Sequence, residues 1–134
     1  MAWKSYELDQ AAQKLVLAAK ERDKEASKKE RESLNQAHKM RMAVAYGLER
    51  FWGEHLRLKD EKSQYWQDTW KTLVEIMKEA GVKIPNDPVK ASDTQAVRKM
   101  SEKLWQLDIA DQRVALAVLT QLCDCMVWWT QRYK

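Results

Sequence analysis

The side chains that most often carry out enzymatic chemistry are few in this chain and lie far apart. The two histidines are His38 and His55, and the two cysteines are Cys123 and Cys125. A histidine that acts as a general base needs a nucleophile within hydrogen-bond reach, and no serine or cysteine accompanies either histidine at a convincing spacing. Cysteines two positions apart on a helix point about 200° apart, so they cannot jointly hold a metal ion there. The sequence therefore predicts ordinary thiols and no histidine-based catalytic site.

Carboxylates and nucleotide-binding motifs lead to the same expectation. Glu75 and Glu79 have a spacing that paired catalytic carboxylates can have, but Lys71 and Lys78 beside them indicate a solvated helix face. Glycine-rich phosphate-binding loops, H-E-x-x-H and C-x-x-C are missing from the sequence. Each of these motifs has a defined mechanism, and none can be assigned here. We therefore expect no enzyme activity, no catalytic residue, no metal site, no cofactor and no small-molecule substrate.

The most informative polar pattern is a row of mostly basic residues in the first half of the chain. The row consists of Lys39, Tyr46, Arg50, Gly53 and Arg57, at intervals of 7, 4, 3 and 4 residues. On one continuous helix these intervals place all five residues on one face. Arginine and lysine neutralise phosphates, and tyrosine stacks on a base. The row therefore predicts contact with a nucleic-acid backbone, and a solvated face paired with Glu49 and Glu54 remains the alternative.

Further cations extend this prediction to other segments. Arg41 and Lys59 add to the field of the first row, and Arg132 lies near the C-terminal end of the sequence. A second group, opposed only by Glu102, consists of Arg98, Lys99 and Lys103. The net charge of +4 is a mild excess. Such an excess is compatible with a nucleic-acid partner and does not prove one.

The elements that carry these residues are predicted to be helices. Three glycines and two prolines in 134 residues leave few turns, and apolar residues recur at helical spacing in five segments. We predict an all-α fold, a single compact bundle of about five helices that covers residues 1–134. The second helix is predicted as one unbroken element over residues 33–58. Ser33 with Gln36, and Ser92 with Gln95, have the spacing of capping boxes.

Three segments stand out in this bundle. Residues 20–33 are almost entirely charged and are predicted to form an extension or connection that buries little. Residues 82–91 hold both prolines, Pro85 and Pro88, and are predicted to be a loop. Residues 114–129 are apolar on most faces, so the C-terminal helix that begins after Asp108 is predicted to be central.

Tryptophan is abundant, with seven copies. We expect most of them to pack the core, and one or two exposed copies would mark an interface. The apolar run at residues 114–119 is too short to cross a bilayer, so we expect no membrane partner. Because the surroundings of the two cysteines are those of buried thiols, we expect a cytoplasmic protein.

Several short patterns resemble one known family. The first helix opens on Asp9-Gln10-Ala11-Ala12, the second contains Gly47-Leu48 and then Phe51-Trp52, and the sequence closes with Trp129, Arg132 and Tyr133. These patterns resemble the small helical subunit of multi-subunit CRISPR effector complexes, and they are most similar to the Cmr-type small subunit of type III systems. The resemblance covers about half of the chain.

The resemblance implies a helical bundle that cleaves nothing. Its partners would be other CRISPR effector subunits, copies of itself, the crRNA, and a target RNA or single-stranded DNA. Arg50, Arg57 and Arg132 match a basic binding face, and Lys39, Arg41, Arg98 and Lys99 are further candidates. A helical adaptor module that binds proteins and no nucleic acid remains an alternative, as does an enzyme or cofactor-binding bundle with an unrecognised site.

Overall fold

The computed structural model describes residues 5–25 and 33–133, and within them the chain is entirely helical apart from its connections. The elements are α1 (Ser5–Glu25), α2 (Gln36–Ala43), a short 3-10 helix (Val44–Tyr46), α3 (Leu48–Arg57), α4 (Asp60–Glu79), α5 (Thr94–Trp105) and α6 (Ile109–Tyr133). The predicted all-α class is confirmed. The described residues form six α-helices where about five were expected, because the second predicted helix is interrupted at Gly47.

The C-terminal helix is central, as predicted. α6 lies against α1, α2, α3, α4 and the 3-10 helix. Its inward side is formed by Ala115, Val118, Leu119, Leu122, Cys123 and Met126. The helix is not covered all round, since Val114 and Trp128 remain exposed. No helix of the described residues is long and apolar enough to cross a membrane.

The seam between α1 and α6 joins the two ends of the described chain. Gln13 donates a hydrogen bond to the hydroxyl of Tyr133 (3.0 Å), and Lys20 donates one to its backbone oxygen (3.0 Å). Asp9 lies beside Cys125, further from the end of α6. Low residue numbers on α1 therefore face low numbers on α6, so the two helices run in the same direction.

Large aromatic side chains fill the centre of the bundle. The ring of Phe51 lies 4.9 Å from that of Trp66 and 6.3 Å from that of Trp70. The indole N–H of Trp66 donates to Gln36 (3.0 Å), and that of Trp70 donates to the backbone oxygen of Pro85 (3.1 Å). A buried indole N–H needs such an acceptor, and both acceptors come from other elements. Trp105 and Trp128 are exposed instead.

The charged segment at residues 20–33 departs from the prediction that it buries little. α1 continues through it as far as Glu25. Asp23 is only 1% exposed, and its carboxylate accepts hydrogen bonds from the backbone N–H (2.9 Å) and the hydroxyl (2.6 Å) of Ser33. Arg22 forms an ion pair with Asp68 of α4 at 2.8 Å. The prediction is therefore wrong at Asp23 and Ser33, whereas Glu21, Lys24 and Glu25 are exposed as it requires. Residues 26–32 lie outside the described part of the chain.

The helix ends agree with some predicted caps and contradict others. The side chain of Asp93, not that of Ser92, caps α5 by accepting from the N–H of Ala96 (3.1 Å). The N-cap residue of α2 is Asn35, whose side chain forms no capping hydrogen bond, and the Ser33 hydroxyl donates to Asp23 instead of capping the helix. At the start of α6 the carboxylate of Asp108 accepts from the N–H of Ala110 (2.9 Å), in keeping with the prediction that this helix begins after Asp108.

Candidate nucleic-acid interface

The predicted row of basic residues lies on two helices that meet at Gly47. Lys39 is on α2, Tyr46 ends the 3-10 helix, and Arg50 and Arg57 are on α3. Gly47 has φ 96° and ψ 174°, a conformation that is essentially restricted to glycine and that no helix can contain. The prediction of one unbroken helix over residues 33–58 is therefore wrong, and the spacing across Gly47 is not that of one helix face.

Glu54 nevertheless shows that three of the predicted cations share one region. Arg57 donates two hydrogen bonds to its carboxylate, at 2.9 and 2.6 Å. These bonds, together with the positive charges of Arg57, Arg50 and Lys39, hold the pKa of Glu54 below its ordinary value. Lys39 acts on this carboxylate from α2, so the bend at Gly47 brings the two helices' cations to a common site. We call Lys39, Tyr46, Arg50 and Arg57 the α2–α3 basic surface.

Of the three cations of this surface, Arg57 is the one already paired with a carboxylate. It is exposed, and its guanidinium is held by both oxygens of Glu54. The hydrogen bond from Arg57 to Glu54 raises the pKa of Arg57. A phosphate would therefore have to compete with an existing carboxylate partner at this position.

Arg50 and Tyr46 form the part of the surface that is open to a ligand. The guanidinium carbon of Arg50 lies 5.1 Å from the centre of the Tyr46 ring, and Tyr46 is 69% exposed. Arg50 forms no salt bridge with any described residue, and the same holds for Lys39. An exposed ring beside a cation suits a base that stacks and a phosphate that needs a counter-charge.

Two further predicted cations are engaged by carboxylates. Arg41 forms an ion pair with Asp124 of α6 at 2.6 Å, and Arg98 forms one with Glu102 on α5 at 3.2 Å. Lys99 is exposed beside Arg98 and has no salt bridge within the described chain. The α5 group lies on a different helix from the α2–α3 basic surface, so the candidates form more than one surface.

Arg132 belongs to an aromatic cluster at the end of α6. Its guanidinium lies 4.5 Å from the ring centre of Trp128 and 5.5 Å from that of Trp129. Trp129 in turn stacks on Tyr133 at 5.7 Å. The sequence pattern predicted Arg132 only as a cation. Its separation of four residues from Trp128, which is one helix turn, is the signal that could have predicted this stacking.

The two histidines and the two cysteines lie on three different helices, α2, α3 and α6. Cys123 is buried and Cys125 half-buried, and both thiols are free. Burial raises the pKa of Cys123 to about 12 and that of Cys125 to about 11, the latter with a contribution from Asp9. His38 is exposed on α2, whereas His55 is half-buried on α3. Among the described residues no three His, Cys, Asp or Glu side chains are grouped so that they could hold a metal ion.

The α2–α3 basic surface is thus the arrangement that best fits a ligand. It offers an exposed tyrosine, two cations that form no salt bridge with a described residue, and a third cation paired to Glu54. Comparison of the chain with protein-family models, curated proteins and solved structures gives no match.

Proposed function

We propose that this chain is a non-catalytic small subunit of a crRNA-guided CRISPR effector complex, in which the α2–α3 basic surface contacts the target strand. The family patterns around Gly47, Phe51 and Arg132 support this proposal, and so does the all-helical bundle that the resemblance implies. The free thiols are in keeping with a reducing cytoplasm.

The observation that carries the proposal is the pairing of Arg50 with the exposed ring of Tyr46. A guanidinium that has no carboxylate partner keeps its charge available for a phosphate. The adjacent ring offers a face on which a base of any sequence can stack. Lys39 adds from α2 a second charge that forms no salt bridge within the described residues, and it acts on Glu54 as Arg50 does.

One copy of this surface offers few phosphate contacts, so binding by the isolated chain is weak and sensitive to salt. Several copies aligned in one complex add their contacts through a high effective concentration. Arg41, Arg57 and Arg98 contribute less than Arg50, since each already has a carboxylate partner.

The experiment compares assembled complexes that contain the wild-type chain or the Lys39→Glu/Arg50→Glu chain. Target-strand affinity is measured against salt concentration. We expect lower affinity for every matched target and a shallower salt slope, by about 0.7–0.9 for each phosphate that the variant no longer neutralises. Guide loading and helix content should stay unchanged, because exposed charges contribute little to stability.

Lys83→Glu is the matched control, since Lys83 is exposed in the loop after α4 and lies outside every candidate group. It changes the net charge in the same direction at a different place. If the control weakens target binding per charge as much as the double variant, the effect is one of overall charge and the assignment to the α2–α3 basic surface is wrong.

A helical protein-interaction module is the second candidate, and one observation favours it. Trp105 is 65% exposed and Ile109 is 67% exposed at the corner between α5 and α6. Exposed tryptophan is typical of protein interfaces. Binding to a protein partner that persists in high salt and is lost in Trp105→Ala would support this candidate, whereas salt-sensitive strand binding supports the first.

A further inference from the structure

A groove outside the α2–α3 basic surface lies between the end of α3, the first half of α4 and the loop at residues 82–91. Its volume is about 450 Å³, which is within the range of roughly 300–1,000 Å³ of small-molecule sites. Pro88 and Val89 contribute apolar surface, and Gln67, Lys71 and Asn86 contribute polar groups. The groove is therefore partly apolar and partly polar, as a site for an amphipathic small molecule must be.

The loop that forms one wall of the groove is fastened to the bundle at several points. The Trp70 indole donates to the backbone oxygen of Pro85 at 3.1 Å, and Ile84 is buried in the core. Asp87 forms an ion pair with Lys103 of α5. A wall held in this way needs little ordering when a ligand enters, which favours binding.

The charges of the groove leave it positive. Asp68 forms an ion pair with Arg22 at 2.8 Å, and Asp87 forms one with Lys103. Arg22 and Lys103 do not line the groove, so both carboxylates are neutralised from outside it. Lys71 and Lys90 line the groove, and neither has a salt bridge within the described residues. The groove thus offers two lysine ammonium groups to an anion.

The remaining polar groups offer acceptors. Nδ1 of His55 lies within hydrogen-bond distance of the backbone oxygen of Trp52. A carbonyl oxygen can only accept, so Nδ1 carries the hydrogen and Nε2 is an acceptor. Burial lowers the pKa of His55, which keeps the ring neutral at pH 7. The amide nitrogen of Gln67 donates to Ser63 at 3.1 Å, which leaves its oxygen as a second acceptor.

We propose that this groove binds a nucleotide, with the phosphate between Lys71 and Lys90 and an amino-bearing base against His55 and Gln67. A nucleotide combines the anion that the lysines need with a flat ring that fits against the apolar surface of Pro88 and Val89. Its exocyclic amino group donates to the two acceptors. The nucleotide is either free or one unit of a strand, and both sources present the same chemistry. The inference goes beyond the proposed function, because binding requires neither other subunits nor the α2–α3 basic surface.

The test titrates the purified chain with cytidine monophosphate, uridine monophosphate, inorganic phosphate and a five-nucleotide cytidine RNA. Calorimetry measures affinity, and NMR follows the ring signals of His55 and His38. We expect cytidine monophosphate to shift the His55 signals more than those of the exposed His38. Uridine monophosphate should bind at least about tenfold more weakly, because its carbonyl faces an acceptor instead of donating to it.

The Lys71→Ala/Lys90→Ala variant should weaken binding of cytidine monophosphate at least about tenfold, whereas Lys78→Ala/Lys83→Ala should leave it unchanged. If only the five-nucleotide RNA binds, with the same dependence on Lys71 and Lys90, the nucleotide belongs to a strand. The proposal is overturned if the His55 signals do not shift or if inorganic phosphate binds with the same affinity as cytidine monophosphate. It is also overturned if the Lys71 and Lys90 changes leave the affinity for cytidine monophosphate unchanged. Lys39→Glu/Arg50→Glu should keep its affinity for cytidine monophosphate, so failure here is distinguishable from failure of the proposed function.

Discussion

Asp23 is the charged side chain on which the end of α1 depends. Both of its oxygens are used, since they accept from the backbone N–H and the hydroxyl of Ser33, across the residues that connect α1 to α2. The Ser33 groups are buried with it. Leaving a buried donor without an acceptor lowers the stability of a fold far more than removing both partners of a hydrogen bond does. The Asp23 carboxylate therefore fixes Ser33 against the end of α1.

Removing the carboxylate should therefore destabilise the fold more than an ordinary charge change does. We expect Asp23→Ala to lower the free energy of unfolding by about 2–4 kcal/mol, because it leaves two buried donors of Ser33 unpaired. Urea unfolding followed by circular dichroism measures this. Glu21→Ala, an exposed neighbour on the same helix, should change stability by less than about 0.5 kcal/mol. Equal effects of the two substitutions would contradict the assignment.

The buried thiol of Cys123 makes stability depend on alkaline pH. Burial raises its pKa from an ordinary 9.0 to about 12. Above pH 9 the unfolded chain loses this proton while the folded chain keeps it, so the contribution of Cys123 to stability is complete below pH 9 and is lost as the pH rises toward 12. Urea midpoints at pH 8 and pH 10 should fall less in Cys123→Ala than in the wild type. Parallel declines would mean that the thiol ionises equally in both states.

Among the elements, the junction of α2 and α3 is decided by a single glycine. At Gly47 an added Cβ would meet no atom within 4 Å, so the obstacle to a side chain there is the backbone conformation alone. Gly53 lies inside α3, where an added Cβ would meet only Glu49, at an ordinary 3.7 Å. Alanine should therefore destabilise the fold at Gly47 and stabilise it at Gly53.

We expect Gly47→Ala to lower the free energy of unfolding by about 1–3 kcal/mol through backbone strain. Gly53→Ala should raise it by about 0.5–1 kcal/mol, because alanine loses less freedom on entering a helix. Thermal unfolding of both variants provides the comparison, and each serves as the other's control. Stabilisation by Gly47→Ala would show that α2 and α3 can join into one helix.

The same junction shows where prediction from the sequence reaches its limit. Leu48 and Phe51 continue the apolar spacing that Val44 begins, so periodicity alone gives no sign of a break at Gly47. The signals at Gly81 and Asp108, in contrast, are local: Gly81 has φ 82° just after α4, where glycine commonly ends a helix, and Asp108 caps α6. Whether a segment is helical can be predicted from local spacing, whereas a change of helix direction depends on the other elements that pack against it.

The ion pairs of the candidate basic residues show the same difference between local and tertiary signals. The pairing of Arg57 with Glu54 and that of Arg98 with Glu102 lie within one helix turn and could be predicted from spacing. The pairing of Arg41 with Asp124 spans 83 positions, and no pattern in the sequence brings these two residues together. Which cations remain free for a ligand is therefore a property of the tertiary fold.

In the molecule as a whole, α5 is the least embedded helix of the described chain. α6 lies against four other α-helices, whereas α3 is the only described helix that α5 contacts, and the Lys103–Asp87 ion pair joins α5 to the loop at residues 82–91. Its polar link to α3 is the hydrogen bond from Ser101 to Glu49 at 2.8 Å. Local opening has the lowest free energy where tertiary contacts are fewest, so α5 should open before the rest of the bundle.

Amide hydrogen exchange should accordingly be faster along α5 than along the middle of α6. Ser101→Ala should accelerate exchange in α5 further while leaving α6 unchanged, because it removes a hydrogen bond that holds α5 to α3. Mass spectrometry of peptides from each helix measures both rates. Uniform protection across α5 and α6 would mean that the molecule opens only as one unit.

The parallel seam of α1 and α6 has a consequence for the time at which the protein can fold in the cell. Gln13 and Tyr133, which meet in this seam, are 120 positions apart. At a synthesis rate of roughly 5–20 residues per second, α6 leaves the ribosome on the order of ten seconds after α1. During that interval the apolar face of α1, including Leu8 and Val16, has no α6 to cover it. The nascent chain must therefore keep this face from other apolar surfaces, by chaperone contact or by transient packing on α4, until α6 is made.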